Sequence, residues 1–378
     1  MPDDYTVACY YFPNYHVDPR NEAQHGPGWT EWELVKRAEP CFEGHRQPRV
    51  PAWGYEDESD PAVMAKKIDA ASRHGIDAFI FDWYWYDDGP FLARGLEEGF
   101  LNAPNSDRLR FGIMWANHNW MDVHPAKRKC AAPLLYPGAV TPATFDAMTD
   151  HIVHQYFAHP SYWAIGGRPY FSVYELYRLI EGLGGVEATR VALERFREKT
   201  CAAGFPGLHL NAVVWGVRVL PSETAIADPA QMVAHLGFDS VTSYVWVHHV
   251  PLSDFPRTAY SHVLEESVAQ WRQSQAQFGV PYHPNVTMGW DSSPRTVQSD
   301  VFDGSGYPFS ATLDGNTPAA FKEALARARQ FLEPRPASER ILTINAWNEW
   351  TEGSYLEPDT LHGMAYLEAV RDVFATAR

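Results

Sequence analysis

The segment Asn345-Ala346-Trp347-Asn348-Glu349-Trp350-Thr351-Glu352-Gly353 sets two carboxyl groups three residues apart among tryptophans. Cleavage of a glycosidic bond requires two carboxyl groups placed around that bond. Glu349 and Glu352 are the pair expected to supply them. They follow an apolar run and stand in a turn closed by Gly353, which can point both side chains the same way. Trp347 and Trp350 alternate with them and can exclude water, raising one pKa so that its owner serves as an acid. The same spacing also suits a helix-start cap in which Glu352 satisfies backbone N–H groups. Asp82, Glu175 and Asp291 are further carboxylates at the ends of apolar runs.

Other run ends are rich in rings and hydrogen-bonding groups. Tyr10 to His16, Asp82 to Asp87, Trp115 to Trp120, Tyr174-Glu175, Tyr244 to His249 and Gly289 to Asp291 all share this character. Aromatics make up 14% of the chain, with 14 Trp, 19 Tyr and 20 Phe. Sugars present C–H faces that stack on rings and hydroxyls that need buried polar partners. The expected sugar-contacting wall comprises Tyr10, Tyr15, Asp82, Trp85, Trp115, Asn117, Trp120, Glu175, Tyr244, Trp246, Trp290 and Asn348.

These residues can meet only if the elements before them end at one rim. Apolar runs alternate with helical patterns along the chain. Strands are expected at 6–12, 77–85, 110–117, 169–175, 208–216, 239–246, 282–290 and 341–347. Helices are expected at 60–74, 91–102, 142–158, 187–203, 229–236, 260–278, 318–331 and 363–377. Eight strand-then-helix units in order predict a parallel sheet closed into a (β/α)8 TIM barrel, an α/β fold. One such unit is expected to span residues 1–378. An open doubly wound sheet ranks below it, because no Gly-rich phosphate turn follows the first strand. The loops after strands one and seven are long, roughly 13–59 and 291–317. That asymmetry puts the chemistry at the C-terminal face.

The net charge of −16 argues against nucleic acid and against an anionic membrane surface. Cys9, Cys41, Cys130 and Cys201 are scattered without metal spacing and are expected to be free, buried thiols. The chain opens Met-Pro-Asp-Asp without a basic or apolar run, so no leader and a cytoplasmic location are expected. No apolar run approaches the roughly 20 residues of a membrane-spanning helix. His248-His249 is a tempting metal pair, but adjacent strand residues point to opposite faces. Neither metal nor cofactor is expected.

The strand-eight segment, continuing to Leu356-Glu357-Pro358-Asp359, resembles the signature of the WbsX-type proteins. These are related to the family-99 glycoside hydrolases, the endo-α-1,2-mannosidases and mannanases. Tyr10–Tyr15, Gly28-Trp29-Thr30-Glu31-Trp32, Pro40–Pro48, Gly75-Ile76-Asp77 and Trp115–Trp120 resemble further family segments. The resemblance implies a (β/α)8 fold and hydrolysis of an α-linked oligo- or polysaccharide with retention. It also implies roles. Glu349 would take the proton of the sugar 2-OH, whose oxygen attacks the anomeric carbon to give a 1,2-anhydro sugar. Glu352 would protonate the leaving oxygen and then activate water. The chain departs from the family at Asp82–Trp85, where the family has Tyr-His-Tyr-Trp, and at His118, where it has Glu. Both departures bear on substrate identity. The alternatives are a WbsX-type glycosyltransferase of polysaccharide biosynthesis and a non-catalytic carbohydrate-binding barrel.

Overall fold

Short runs of β-branched and aromatic residues build a parallel ring of strands in the computed structural model, which describes residues 5–375. They are β1 (Thr6–Tyr11), β2 (Ala78–Tyr86), β3 (Arg110–Trp115), β4 (Arg168–Val173), β5 (His209–Val213), β6 (Ser240–Thr242), β7 (Tyr282–His283 and Asn285–Thr287) and β8 (Ile341–Asn345). Each pairs in parallel with its sequence neighbours, and β1 pairs with β8 from Thr6↔Ile341 to Cys9↔Ile344. Pro284 splits β7 because it has no N–H to give to a ladder. The piece before it pairs with β6 and the piece after it with β8. The Pro284 carbonyl still accepts from Thr343 N–H at 3.0 Å. The two edges are thereby joined, and the expected TIM barrel is formed.

The outer helices start with one recurring device. α1 (Pro61–Arg73), α2 (Pro142–His151), α4 (Pro229–Leu236) and α6 (Pro318–Leu332) each open on proline behind a capping Asp or Thr. Proline fixes φ where no N–H is needed, and the cap side chain takes an orphan N–H. Asp60, Thr141, Asp228 and Thr317 do so. The ring of helices is completed by α3 (Val186–Ala202), α5 (Tyr260–Gln277) and α7 (Ala365–Val370).

Several boundaries differ from expectation. The helix expected at 91–102 is a single wide turn, Gly95–Phe100, and Phe91 belongs to a short strand antiparallel to the end of β2. Gly99 is required there: a Cβ would stand 2.1 Å from the Glu58 carbonyl oxygen. The strand expected at 239–246 stops at Thr242, and Trp246–His248 forms a 3-10 turn. That turn still sends the two histidines apart, His248 inward and His249 onto Ser243. The closing helix begins at Ala365 rather than Gly363, and Thr376 and Ala377 lie outside the described residues. All four thiols are free, but only Cys9 is buried; Cys130 and Cys201 sit on exposed turns and helix surface. No helix among the described residues is long and apolar enough to cross a membrane.

Candidate active site

The glutamate pair is placed by a small, heavily pinned turn after β8. Asn348–Glu349 pairs antiparallel with Ser354–Tyr355, and Trp350–Glu352 makes one 3-10 turn. Gly353 ends it at φ 65°, where a side chain would be strained and its Cβ would meet Asp291. Asn348 clamps the end of β1, accepting from Phe12 N–H at 2.8 Å and donating to the Phe12 carbonyl at 2.7 Å. Trp347 and Trp350 donate their indole N–H groups to the two oxygens of Glu357 at 2.9 and 2.7 Å. Lys67 of α1 neutralises Glu357 from 2.8 Å. A buried cation held by carboxylates and a phenol is tolerable where a lone one is not.

One guanidinium organises the pair. Arg295, delivered by the long loop after β7, donates from Nη2 to Glu349 Oε1 at 2.7 Å and from Nη1 to Glu352 Oε1 at 2.5 Å. Its Nε donates to Glu31 Oε1 at 2.9 Å. The Tyr307 hydroxyl, 2.6 Å from Arg295 Nη1, donates to Glu352 Oε1 at 2.9 Å. Across the barrel mouth the Tyr244 hydroxyl donates to Asp82 Oδ2 at 2.8 Å. Glu349 Oε2 and Asp82 Oδ1 are buried without a hydrogen-bond partner among the described residues.

These groups surround a cavity that opens to solvent at the barrel mouth. Of the expected residues, Glu349, Glu352, Asp82, Trp120, Tyr244 and Trp290 line it. The others lie behind it. Tyr10 is inside the barrel with its ring 4.7 Å from that of Tyr244. Tyr15 accepts from Trp350 N–H and stacks on Trp32. Trp85 and Trp115 turn outward, toward His151 and Phe145. Asn117 closes a two-bond clasp on the Glu175 backbone, and Trp246 donates to the Asn285 carbonyl beneath α5. Asn348 is the clamp already described. The Glu175 carboxyl accepts from Thr224 N–H, and burial pushes it up to about 8 against the pull of Arg178. Period two explains the split: on β2, Asp82 and Tyr84 face the mouth while Trp83 and Trp85 face the helices.

Arg295 and Tyr307 line the cavity without having been foreseen, and Tyr84, His118, Tyr174 and His248, named beforehand only as members of rim segments, line it too. Glu31 had been noticed only as part of a motif. One signal was available for Arg295: two carboxylates buried beside tryptophans demand a cation.

The charge balance is the main electrostatic fact. Glu31, Asp82, Glu349 and Glu352 share one guanidinium. Burial raises Glu31, but Arg295, His124 and the Thr351 hydroxyl outweigh it and hold Glu31 below the ordinary range. Burial pushes Glu349 well above that range, and the neighbouring carboxylates add to the rise against Arg295. Burial raises Glu352 too, opposed by Arg295 and the Tyr307 bond. Asp82 is pushed well up by burial, with Glu352 adding to the rise and the Tyr244 bond and Arg295 pulling back. Burial therefore favours the protonated forms of the carboxyls that point into the pocket, the condition that acid–base chemistry requires.

The sequence profile of the family described as glycosyltransferase WbsX matches residues 7–370. The protein WxcX of Xanthomonas campestris pv. campestris is 29% identical over 381 residues, covering 98% of this chain and 50% of its own length. The chain thus spans about half the length of the curated relatives it matches. Among solved structures, a GH99 endo-α-mannosidase of Bacteroides thetaiotaomicron superposes with a TM-score of 0.59 at 14% identity, covering 100% of this chain and 99% of that one. A glycoside hydrolase-like protein superposes at 0.63 with 13% identity, covering 98% and 94%. Such distant likenesses establish the barrel, and the profile match over nearly the whole chain shows that this protein belongs to the glycosyltransferase WbsX family.

Proposed function

We propose that this barrel is a glycoside hydrolase that cleaves an α-linked oligo- or polysaccharide with retention of configuration. The observation that carries the reading is the shared grip of Arg295 on Glu349 and Glu352 inside a cavity walled by Trp120, Tyr244 and Trp290. Glu349 Oε2 has no hydrogen-bond partner among the described residues and can accept a sugar hydroxyl. In the proposed sequence Glu349 takes the 2-OH proton, and that oxygen attacks the anomeric carbon as the glycosidic bond breaks. Glu352 gives its proton to the departing oxygen, leaving a 1,2-anhydro sugar. Glu352 then takes a proton from water, whose oxygen attacks the anomeric carbon. Glu349 returns its proton to the 2-oxygen as the epoxide opens. No covalent bond to the protein is formed.

The family description favours a second reading, transfer from a nucleotide sugar. Its diphosphate would have to approach four carboxyl groups served by one guanidinium, an unfavourable field for an anion. The hydrolytic reading asks the cavity to hold only a neutral sugar.

Glu349→Gln and Glu352→Gln test the assignment on α-linked polysaccharides and on aryl α-glycosides with good leaving groups. Glu352→Gln should spare the aryl glycosides in part, because their leaving group needs no proton. Glu349→Gln should stop both substrates, 2-deoxy substrates should be inert, and NMR should show the α-anomer first. An inverted product, or a glycosyl ester trapped on Glu349, Glu175 or Asp291, would refute the mechanism. Turnover only with a nucleotide-sugar donor would select the transferase.

A further inference from the structure

We propose a second sugar-binding subsite outside the cavity, in the groove between Trp29 and the Pro294–Gln298 segment, where a glycan chain emerging from the cavity continues. This inference rests on the carbohydrate reading of the cavity. The groove is lined by Trp29, Lys36, Arg37, Pro294, Val297 and Gln298. His124 belongs to the walls of both spaces, so the two are neighbours with this residue between them. That ring is held by stacking on Trp120, with centroids 5.2 Å apart and planes at 11°.

The two spaces also share their scaffold. Arg295 enters the cavity, while its neighbours Pro294 and Thr296, and Val297 beyond, form the groove floor. Glu31 anchors Arg295 from the loop that presents Trp29 two residues earlier. Gln298 ties the floor together, donating to the Ser293 and Thr296 carbonyls at 2.9 Å and accepting from Glu39 N–H at 2.8 Å. A ligand in the groove would therefore sit on the reverse side of the segment that aligns the two glutamates.

The chemistry of the groove suits a sugar ring. Trp29 is half-buried, and its indole is braced by the His25 imidazole at 4.2 Å and 27°. A large, pre-ordered ring at a surface, outside the core, is the platform on which the C–H face of a pyranose stacks. Lys36 and Arg37 on the rim supply hydrogen-bond donors for hydroxyls.

The test is a titration of size-graded oligosaccharides from yeast mannan, dextran and pullulan against the full chain carrying Glu349→Gln, which keeps them intact. Affinity should rise as the oligomers outgrow the cavity, by roughly 5–10-fold for one stacked ring. Adding Trp29→Ala should remove that gain and leave the affinity for the shortest binding oligomer unchanged. Trp29→Phe, which keeps a ring in place, should restore part of it. A length gain that survives Trp29→Ala, or affinity that does not depend on length, overturns the subsite and leaves the cavity reading intact. Failure of every oligomer to bind overturns both. Unchanged near-ultraviolet circular dichroism in the two Trp29 variants, apart from the lost indole, establishes that the fold survives.

Discussion

Arg295 Nη2 donates to Glu349 Oε1 across 2.7 Å, with the guanidinium buried over the Phe12 ring. The same cation also serves Glu352 and Glu31, so three carboxyl groups depend on one guanidinium. Its removal leaves carboxylates facing one another in a dry pocket. Breaking a buried ionic group costs about 3–5 kcal/mol. Arg295→Met should therefore lower stability by about that much near neutral pH, measured by urea unfolding. Arg295→Lys keeps the charge, loses the fork and should fall between. Stability unchanged in Arg295→Met would show that the cluster is not charged as described.

The pH–rate profile should be displaced upward. The proposed base, Glu349, acts only when ionised, so activity should rise as pH rises through its raised pKa. The proposed acid, Glu352, acts only when protonated, so activity should fall as pH rises through its own raised pKa. Both limbs of kcat/KM should lie above the ordinary glutamate value of about 4.3. Arg295→Lys should move them further. An acid limb at the ordinary carboxylate value would exclude Glu349 as the titrating base.

Asp82 should weaken the fold as pH rises. Its folded pKa is raised, chiefly by burial, so the folded state holds the proton more tightly than the unfolded chain. That contribution is fully present below the unfolded value of about 3.9 and is lost as pH rises through the folded value. Asp82→Asn keeps an acceptor for Tyr244 and removes the charge. It should gain roughly 1–3 kcal/mol over the wild type at alkaline pH and little at pH 4. Equal stability of the two proteins across that span would contradict the burial argument.

Asp291 should behave in the opposite sense. Burial raises its pKa, but the His45 bond, with Arg49 and Ser293, carries it well below the ordinary range. Its Oδ2 receives His45 at 2.9 Å, Gln47 at 2.8 Å and Arg49 at 3.3 Å, fastening the first long loop to the end of β7. Its own N–H donates to the Glu352 carbonyl at 2.5 Å. The stability it contributes is present above the unfolded pKa and is lost as pH falls through the folded one. Asp291→Ala should cost about 3–5 kcal/mol at neutral pH and flatten the acid side of the stability curve. It should also reduce kcat, because Arg49, which donates to the Gly353 carbonyl beside Glu352, loses its carboxylate partner.

The strand pattern, the Pro-led helix starts and the long loops after β1 and β7 are all local consequences of residue order, so the barrel and its working end could be read before any coordinates. The same holds for the motif that places Glu349 and Glu352 together. Their fates depend on three neighbours in sequence and on Gly353. Tertiary structure alone decided the rest of the cavity. Period two turns Trp85 and Trp115 outward, but how far each strand continues is set by its neighbours and by breaks such as Pro284. That is why Trp246 left the rim when β6 ended at Thr242. Arg295 lies 54 residues from Glu349 and 264 from Glu31. No local rule links such positions; only closure of the ring brings the seventh loop, the first loop and the last strand around one guanidinium. The proton inventory follows from that meeting, because burial and shared charge exist only once the three segments exclude water together.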